Sequence, residues 1–152
     1  MRFLCDEMLV RLARLLRAAG YDTYLAAGGE KDAALLHLAR EEGRQLLTRD
    51  RRLAEAAQPD SVRITGFGPE QEARRLSEAV LIDWDFAPFT RCVMDNAPLR
   101  PASLDQIDRM PPRAQALAGP FRACPACGRL YWPGSHARRM ADRFRGIARP
   151  YS

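Results

Sequence analysis

Two short apolar runs, each ending in or near an aspartate, constrain the fold more than any other feature. They are Phe3-Leu4-Cys5-Asp6 and Leu46-Leu47-Thr48-Arg49-Asp50. A run of this length without alternation is typical of a strand buried on both faces, as in parallel sheets. Between the runs the pattern predicts a helix, a short strand and another helix. The order strand, helix, strand, helix, strand indicates an open α/β sheet flanked by helices.

The periodicity of the first eighty residues predicts further elements. A helix follows Asp6 and ends near Gly20, and Asp32 opens a second helix that Gly43 closes. The predicted strands cover 23–25, 45–48 and 62–65, and further helices cover 51–57 and 69–80. From 81 to 90 the periodicity is lost, so we predict a linker there.

Three aspartates are expected at one edge of this sheet. Asp6 and Asp50 follow strands, and Asp32 opens the helix after the second strand, so all three lie at carboxyl ends, where such sheets bind ligands. Carboxylates that converge repel one another unless a cation is present, and hard oxygen ligands suit magnesium or manganese. Glu7 and Glu30 are further candidate ligands. The alternative is that each aspartate only caps a helix.

Positive charge is concentrated in the last third of the chain. Residues 1–90 carry 13 Lys+Arg and 15 Asp+Glu, a net charge of −2, whereas residues 91–152 carry 11 and 4, a net charge of +7. This asymmetry favours a nucleic-acid partner, although a composition biased toward arginine would also produce it, since Lys31 is the one lysine. The candidate nucleic-acid contacts are Arg11, Arg14, Arg49, Arg138 and Arg139.

The C-x-x-C-G turn at Cys124-Pro125-Ala126-Cys127-Gly128 supplies half of a structural zinc site. Upstream the chain reads Arg91-Cys92-Val93-Met94-Asp95, so Asp95 stands where a second knuckle would have its second cysteine. Asp95 could be the fourth zinc ligand, His136 could replace it, or the site could have lost its zinc. Cys5 lies inside a predicted strand and is expected to be a core residue.

The predicted organisation is an α/β domain over 1–80, a linker over 81–90, a zinc-ribbon-like module over 91–135 and a basic tail over 136–152. The chain has no apolar run of about 18 residues and no recognisable signal peptide, so we expect a cytoplasmic protein. Disulfides are rare in that compartment, which favours metal binding for the paired cysteines.

Several of these motifs together resemble the Mut7-C ribonuclease family. They are Phe3-Leu4-Cys5-Asp6-Glu7-Met8-Leu9, Arg11-Leu12-Ala13-Arg14-Leu15-Leu16-Arg17, Gly20-Tyr21-Asp22-Thr23 and Gly43-Arg44-Gln45-Leu46-Leu47-Thr48-Arg49-Asp50. The resemblance implies a PIN-like nuclease domain followed by a zinc ribbon. It also implies RNA cleavage with magnesium or manganese, with Asp6, Asp32 and Asp50 at the acidic positions.

The chain departs from the pattern of these families at two places. PIN domains usually carry a further acid in a middle helical insertion, which this shorter chain lacks. The Mut7-C resemblance also implies a cysteine where this chain has Asp95.

Three functions remain open from sequence. The first is a metal-dependent ribonuclease in which the basic ribbon binds the substrate. The second is a phosphoacceptor receiver, which Asp6, Asp50 and Thr65 imitate, but a receiver also needs a lysine after a fifth strand. The third is a nucleic-acid-binding adaptor without catalysis, in which the aspartates are caps.

Overall fold

A computed structural model describes residues 1–149 of the chain. Its first four strands form one parallel sheet. The sheet order is β2-β1-β3-β4, formed by β1 (Arg2–Cys5), β2 (Asp22–Leu25), β3 (Gln45–Thr48) and β4 (Ser61–Arg63). β1 pairs in parallel with both β2 and β3, so the first and third strands are central neighbours. The predicted α/β architecture with an open parallel sheet is confirmed.

Helices cover both faces of this sheet. After a 3-10 turn (Glu7–Leu9), α1 (Val10–Ala18) lies on one face with α4 (Pro69–Ala79) and α7 (Ser135–Ala148), while α2 (Asp32–Glu42) and α3 (Arg51–Ala56) lie on the other. Phe3 and Leu47 face the first layer and Leu4 faces the second, because neighbouring strand residues point to opposite faces. No helix within residues 1–149 is both long enough and apolar enough to cross a membrane.

Residues 81–90, the expected linker, pack onto the first core. Trp84 is buried there, and its ring lies against Phe144 of α7 with centroids 5.9 Å apart. The backbone N–H of Ala87 donates to the carbonyl of Ala19 at 3.0 Å. This path passes directly over Gly20, whose φ is +99°, and a Cβ there would lie 2.3 Å from the Ala87 carbonyl oxygen. The segment therefore packs against the core of the first layer.

The basic tail forms an amphipathic helix that joins the same core. Phe144 and Ile147 of α7 are buried, and Arg143 forms an ion pair with Glu70 of α4 at 2.6 Å. Apolar residues recur at helical spacing on the face toward α4, while the arginines lie mostly outside. Residues 150–152 of the expected tail lie outside the described residues.

A second, antiparallel sheet belongs to the C-terminal module. Its order is β5-β6-β7, formed by β5 (Arg100–Pro101), β6 (Arg122–Ala123) and β7 (Leu130–Tyr131). Two short helices, α5 (Leu104–Asp108) and α6 (Pro112–Gln115), lie between β5 and β6. β7 follows the Cys124–Cys127 knuckle, and the module has the form of a small zinc ribbon.

The ribbon contacts the main domain at the edge strand β2. Arg17, buried at the end of α1, donates to the carbonyl oxygens of Val93 and Met94 at 3.1 Å each. Asn96 accepts from the backbone N–H of Thr23 at 2.9 Å and donates to Asp22 at 2.7 Å. The first knuckle is therefore joined to the main domain through the side chains of Arg17 in α1 and of Asn96 in the knuckle.

Candidate functional site

A chain of hydrogen bonds joins two of the aspartates at the carboxyl edge of the sheet. The fully buried Thr48 ends β3, and its hydroxyl donates to the carboxylate of Asp6 at the end of β1. The same hydroxyl oxygen accepts from the backbone N–H of Asp50 at 3.0 Å. Because β1 and β3 are neighbours, Thr48 connects the two acidic positions directly.

Asp6 and Asp50 are also helix caps. The Asp6 carboxylate accepts from the backbone N–H of Met8 at 3.0 Å, and Asp50 Oδ1 accepts from that of Leu53 at 3.0 Å. Capping fixes the orientation of each carboxylate and leaves further lone pairs on its oxygens. The capping alternative therefore describes real contacts, but these contacts do not use up the acceptors.

Asp32 differs from the other two aspartates. It is the first residue of α2, and Lys31 is the N-cap, which makes no side-chain cap. Asp32 is exposed and makes no hydrogen bond or ion pair within residues 1–149. Its carboxylate is thus available at the same edge without a structural partner.

The two candidate glutamates have different surroundings. Glu30 accepts from the Tyr24 hydroxyl and from the backbone N–H of Ala27, both at 3.1 Å, so it organises its own loop. Glu7 is exposed, and its carboxylate lies against Gly28, where a Cβ would approach Oε2 to 2.5 Å. Of this pair, Glu7 keeps the freer carboxylate.

The spacing of the acids limits how an ion could bind. Among residues 1–149, one group of three or more potential metal ligands has its ligand atoms within 4.8 Å of one another, and it lies in the ribbon. Asp6, Asp32 and Asp50 are not gathered to that spacing. Mg²⁺ is usually bound through one or two carboxylates and keeps several waters, so this donor set fits a partly hydrated ion and not a cage of three direct ligands.

Sequence reasoning missed an acid beside this edge. Glu72 of α4 is buried, and its carboxylate accepts from Arg49 at 3.2 Å. Burial raises the pKa of Glu72, while the guanidinium groups of Arg49 and Arg11 only partly oppose this. Arg49 also donates to the carbonyl of Gly66 at 3.0 Å, so its guanidinium is engaged inside the protein.

The other predicted RNA-binding arginines are on the surface. Arg11 and Arg14 of α1 and Arg138 and Arg139 of α7 are all exposed. None of these four forms an ion pair with a carboxylate within the described part of the chain. They remain available to a polyanion, unlike Arg49.

The ribbon brings four ligands together. The thiols of Cys92, Cys124 and Cys127 and the carboxylate of Asp95 offer ligand atoms within 4.8 Å of one another. Cys92 Sγ and Cys127 Sγ are 3.8 Å apart, close to the edge of a tetrahedron with Zn–S bonds of about 2.3 Å. The Cys124 thiol lies 3.3 Å from both Asp95 oxygens. This cluster could hold a metal such as zinc, with Asp95 as fourth ligand.

The two knuckles have the same backbone form. Asn96 N–H donates to the carbonyl of Cys92, and Gly128 N–H donates to that of Cys124, both at 2.9 Å. Asn96 and Gly128 both have positive φ, +70° and +75°, which glycine and asparagine adopt most readily. Asp95 therefore occupies the geometric equivalent of Cys127. His136 is exposed and is not a member of the ligand group.

The family of the chain is decided by one comparison. The family model described as Mut7-C RNAse domain matches residues 1–144. The chain belongs to the Mut7-C RNAse domain family. Searches of curated proteins and of solved structures give no match. The resemblance carried by the first fifty residues is thus confirmed over nearly the whole length of this Mut7-C chain.

The structure argues against the receiver hypothesis for this Mut7-C domain. A receiver needs a lysine after a fifth strand of its sheet, whereas the parallel sheet has four strands within residues 1–149. The single lysine, Lys31, precedes α2 instead. Thr65 is exposed beyond the end of β4.

Other contacts of the Mut7-C ribbon were also missed. The Tyr131 hydroxyl donates to Cys92 Sγ at 3.2 Å and accepts from the Val93 N–H at 3.1 Å. Burial tends to raise the pKa of Cys92, but the hydrogen bond from Tyr131 and neighbouring amides bring it below its usual value. A thiolate is the form that binds metal. The only sequence signal for Asn96 was its place where the other knuckle has Gly128.

Proposed function

We propose that this chain is a metal-dependent ribonuclease whose catalytic site is formed by Asp6, Asp32 and Asp50. The observation that carries the proposal is the Asp6–Thr48–Asp50 hydrogen-bond chain at the carboxyl edge, in a chain of the Mut7-C RNAse family. The buried Thr48 hydroxyl binds the carboxylate of Asp6 and the main-chain N–H of Asp50, so it fixes the two acidic positions relative to each other, which helix capping alone does not require.

The three aspartates divide the work according to their surroundings. Asp6 is held by Met8 and Thr48, and Asp50 by Leu53, so both carboxylates are preorganised. Asp32 is exposed and can move toward substrate. A bound magnesium or manganese ion would supply charge stabilisation at the phosphate and a more acidic water. The three aspartates would position the ion and its water and, when ionised, can accept the proton of the attacking water.

The ribbon serves as the substrate-binding part of the enzyme. Zinc bound by Cys92, Asp95, Cys124 and Cys127 would fix the two knuckles against β2, because a ribbon of this size buries little apolar surface. The exposed arginines Arg138 and Arg139 then face RNA. A reducing compartment such as the cytoplasm suits the three thiols of the site, which are free in the structure.

A non-catalytic nucleic-acid adaptor is the second candidate. The observation that favours it is the spacing of Asp6, Asp32 and Asp50, which are not drawn together as a direct ligand group among residues 1–149. In that case the aspartates would serve as caps, and the ribbon and α7 would bind RNA without cleavage.

Cleavage of single-stranded RNA with added manganese separates the two. We compare the native chain with Asp6→Asn and Asp50→Asn, using Asp60→Asn as a matched control because Asp60 is exposed at the opposite edge, before β4. Asparagine is as good an N-cap as aspartate, so both test variants should fold. Cleavage lost in the two test variants but kept in the control supports the enzyme. RNA binding without cleavage in every form supports the adaptor.

A further inference from the structure

A cavity of about 600 Å³ lies between the ribbon and α7, away from the carboxylates. Its lining comes from β7 and the turn after it, from the start of α7 and from Phe89. Ala18, the last residue of α1, also lines it. Since α1 begins at the carboxyl edge of the sheet, its end marks the opposite edge, so the cavity and the aspartates lie at opposite ends of the domain.

The cavity combines aromatic surface with unpaired positive charge. Tyr131, Trp132 and Met140 make it mainly apolar, and Arg129 and Arg138 lie around it. No aspartate or glutamate lines it. Arg129 and Arg138 are exposed, and neither forms an ion pair with a carboxylate within residues 1–149. An apolar partner alone would leave these charges without a counterion.

Trp132 has the features of a stacking residue. It is partly exposed, and its indole lies against Gly134, where a Cβ would come within 2.9 Å of Nε1. The indole N–H donates no hydrogen bond within the described residues, whereas the indole N–H of buried Trp84 donates to Ser77 at 2.9 Å. A large aromatic face with a free donor, flanked by guanidinium groups, suits a nucleobase and its phosphate.

We infer that this cavity is a binding site for an unpaired nucleotide of single-stranded RNA, with the base against Trp132 and the flanking phosphates near Arg129 and Arg138. The inference rests on the proposed function for the identity of the ligand as RNA, but not on cleavage. Aromatic stacking accepts any base, so the site would contribute affinity with little sequence preference.

The course of α7 connects the cavity to the aspartates. α7 begins at the cavity, and its later residue Arg143 pairs with Glu70 in the first turn of α4, which starts at the carboxyl edge. A helix of 14 residues spans about 21 Å. The exposed Arg139 lies on this helix, and the exposed Arg149 follows its last residue. An RNA strand anchored in the cavity can therefore follow α7 toward the catalytic edge.

Binding is tested with a labelled short oligouridylate and the full chain, without magnesium or manganese so that cleavage does not interfere. RNA should quench the emission of Trp132, since the other tryptophan, Trp84, is only 3% exposed. Trp132→Ala should weaken binding about 5- to 150-fold, and Trp132→Phe should keep most of it. Arg129→Gln should lower the salt dependence of log K by about 0.7. Arg40→Gln, which lies on α2 on the opposite face of the sheet, should change neither the RNA affinity nor its salt dependence.

Two results would overturn the inference. One is equal RNA affinity for the native chain and Trp132→Ala, the latter with a normal thermal melt. The other is quenching of Trp132 by an acidic peptide but not by RNA, which would make the cavity a protein site. These results are distinguishable from a failure of the proposed nuclease function. Binding that depends on Trp132 without cleavage in any form leaves the inference standing, whereas cleavage that needs Asp50 together with binding indifferent to Trp132 removes the inference alone.

Discussion

The hydroxyl of Thr48 donates a hydrogen bond to the carboxylate of Asp6 across the two central strands. Both residues are buried, and Thr48 is completely so. The same hydroxyl accepts from the Asp50 N–H at 3.0 Å, so the threonine fixes how the two acidic loops lie relative to each other. An apolar side chain of the same shape would lack both hydrogen bonds.

Thr48→Val tests this relationship. Valine keeps the shape but removes the hydrogen-bond partner of Asp6 Oδ2 and of the Asp50 N–H, so the free energy of unfolding should fall by about 1–3 kcal/mol. Ribonuclease activity should fall further than the loss of folded protein explains. Thermal melts and cleavage rates check both, with Thr65→Val as control because Thr65 is exposed on the same edge. Equal activity per folded molecule would contradict a positioning role.

Asp32→Asn separates catalysis from capping. The residue is exposed, is not the N-cap and has no partner within residues 1–149, so its replacement should change the melting temperature very little. If Asp32 acts on substrate or metal, cleavage should drop by about 100-fold or more, as for loss of a general acid or base. Asp105→Asn, an exposed acid in the first turn of α5, is the control. Unchanged cleavage would remove Asp32 from the site.

Arg49→Gln distinguishes a structural arginine from an RNA-binding one. Its loss leaves the buried carboxylate of Glu72 without an ion pair, so we expect destabilisation of about 1–3 kcal/mol, discounted because Arg49 is 30% exposed. Arg14→Gln should leave stability unchanged and weaken RNA binding in low salt. The paired measurements are chemical denaturation and oligonucleotide binding. Equal free energies of unfolding for the two variants would contradict a structural role for Arg49.

The zinc affinities of Asp95 variants test the site formed by three cysteines and Asp95. Asp95→Ala should lower zinc affinity by about tenfold or more, since even outer partners of metal ligands contribute about 10–100-fold. Asp95→Cys should restore or exceed native affinity, because position 95 is geometrically equivalent to Cys127. Competition with a chromogenic chelator gives the affinities. His136→Ala is the control, and a loss of zinc in that variant would return His136 to the ligand set.

Acid sensitivity should depend on Asp22, where the sheet meets the ribbon. Burial alone would raise the pKa of Asp22, but hydrogen bonds from Arg44 and Asn96 hold it well below its usual value. A lowered pKa contributes stability that is fully present above the unfolded-state pKa of about 3.9 and is lost as the pH falls toward the folded-state value. Asp22→Asn should therefore lower the melting temperature at pH 6 and flatten its decline below pH 4. Melting temperatures that fall equally with pH in the native chain and in Asp22→Asn would refute this.

The centre of the sheet was predictable because β1 and β3 are short, mostly apolar runs that are buried in the structure. Gln45–Thr48 was predicted to the residue, whereas the fourth strand was predicted to begin one residue late and to end two residues late. Trp84 and Phe144 could not be paired from sequence, because an aperiodic segment and a basic helix give no local sign of meeting 60 residues apart. Glu72 was missed for a related reason, since a glutamate in a helix looks exposed unless its arginine partner is known.

The contacts of Asn96 with β2 have a consequence for solubility. β2 is an outer strand of the sheet, and outer strands offer free main-chain donors to neighbouring molecules. Asn96 occupies the Thr23 N–H, and the Cys92–Asp95 knuckle holds Asn96 in place. If the cluster holds zinc as proposed, removal of the metal would expose this edge of β2, so the metal-free protein should self-associate by strand addition before it unfolds.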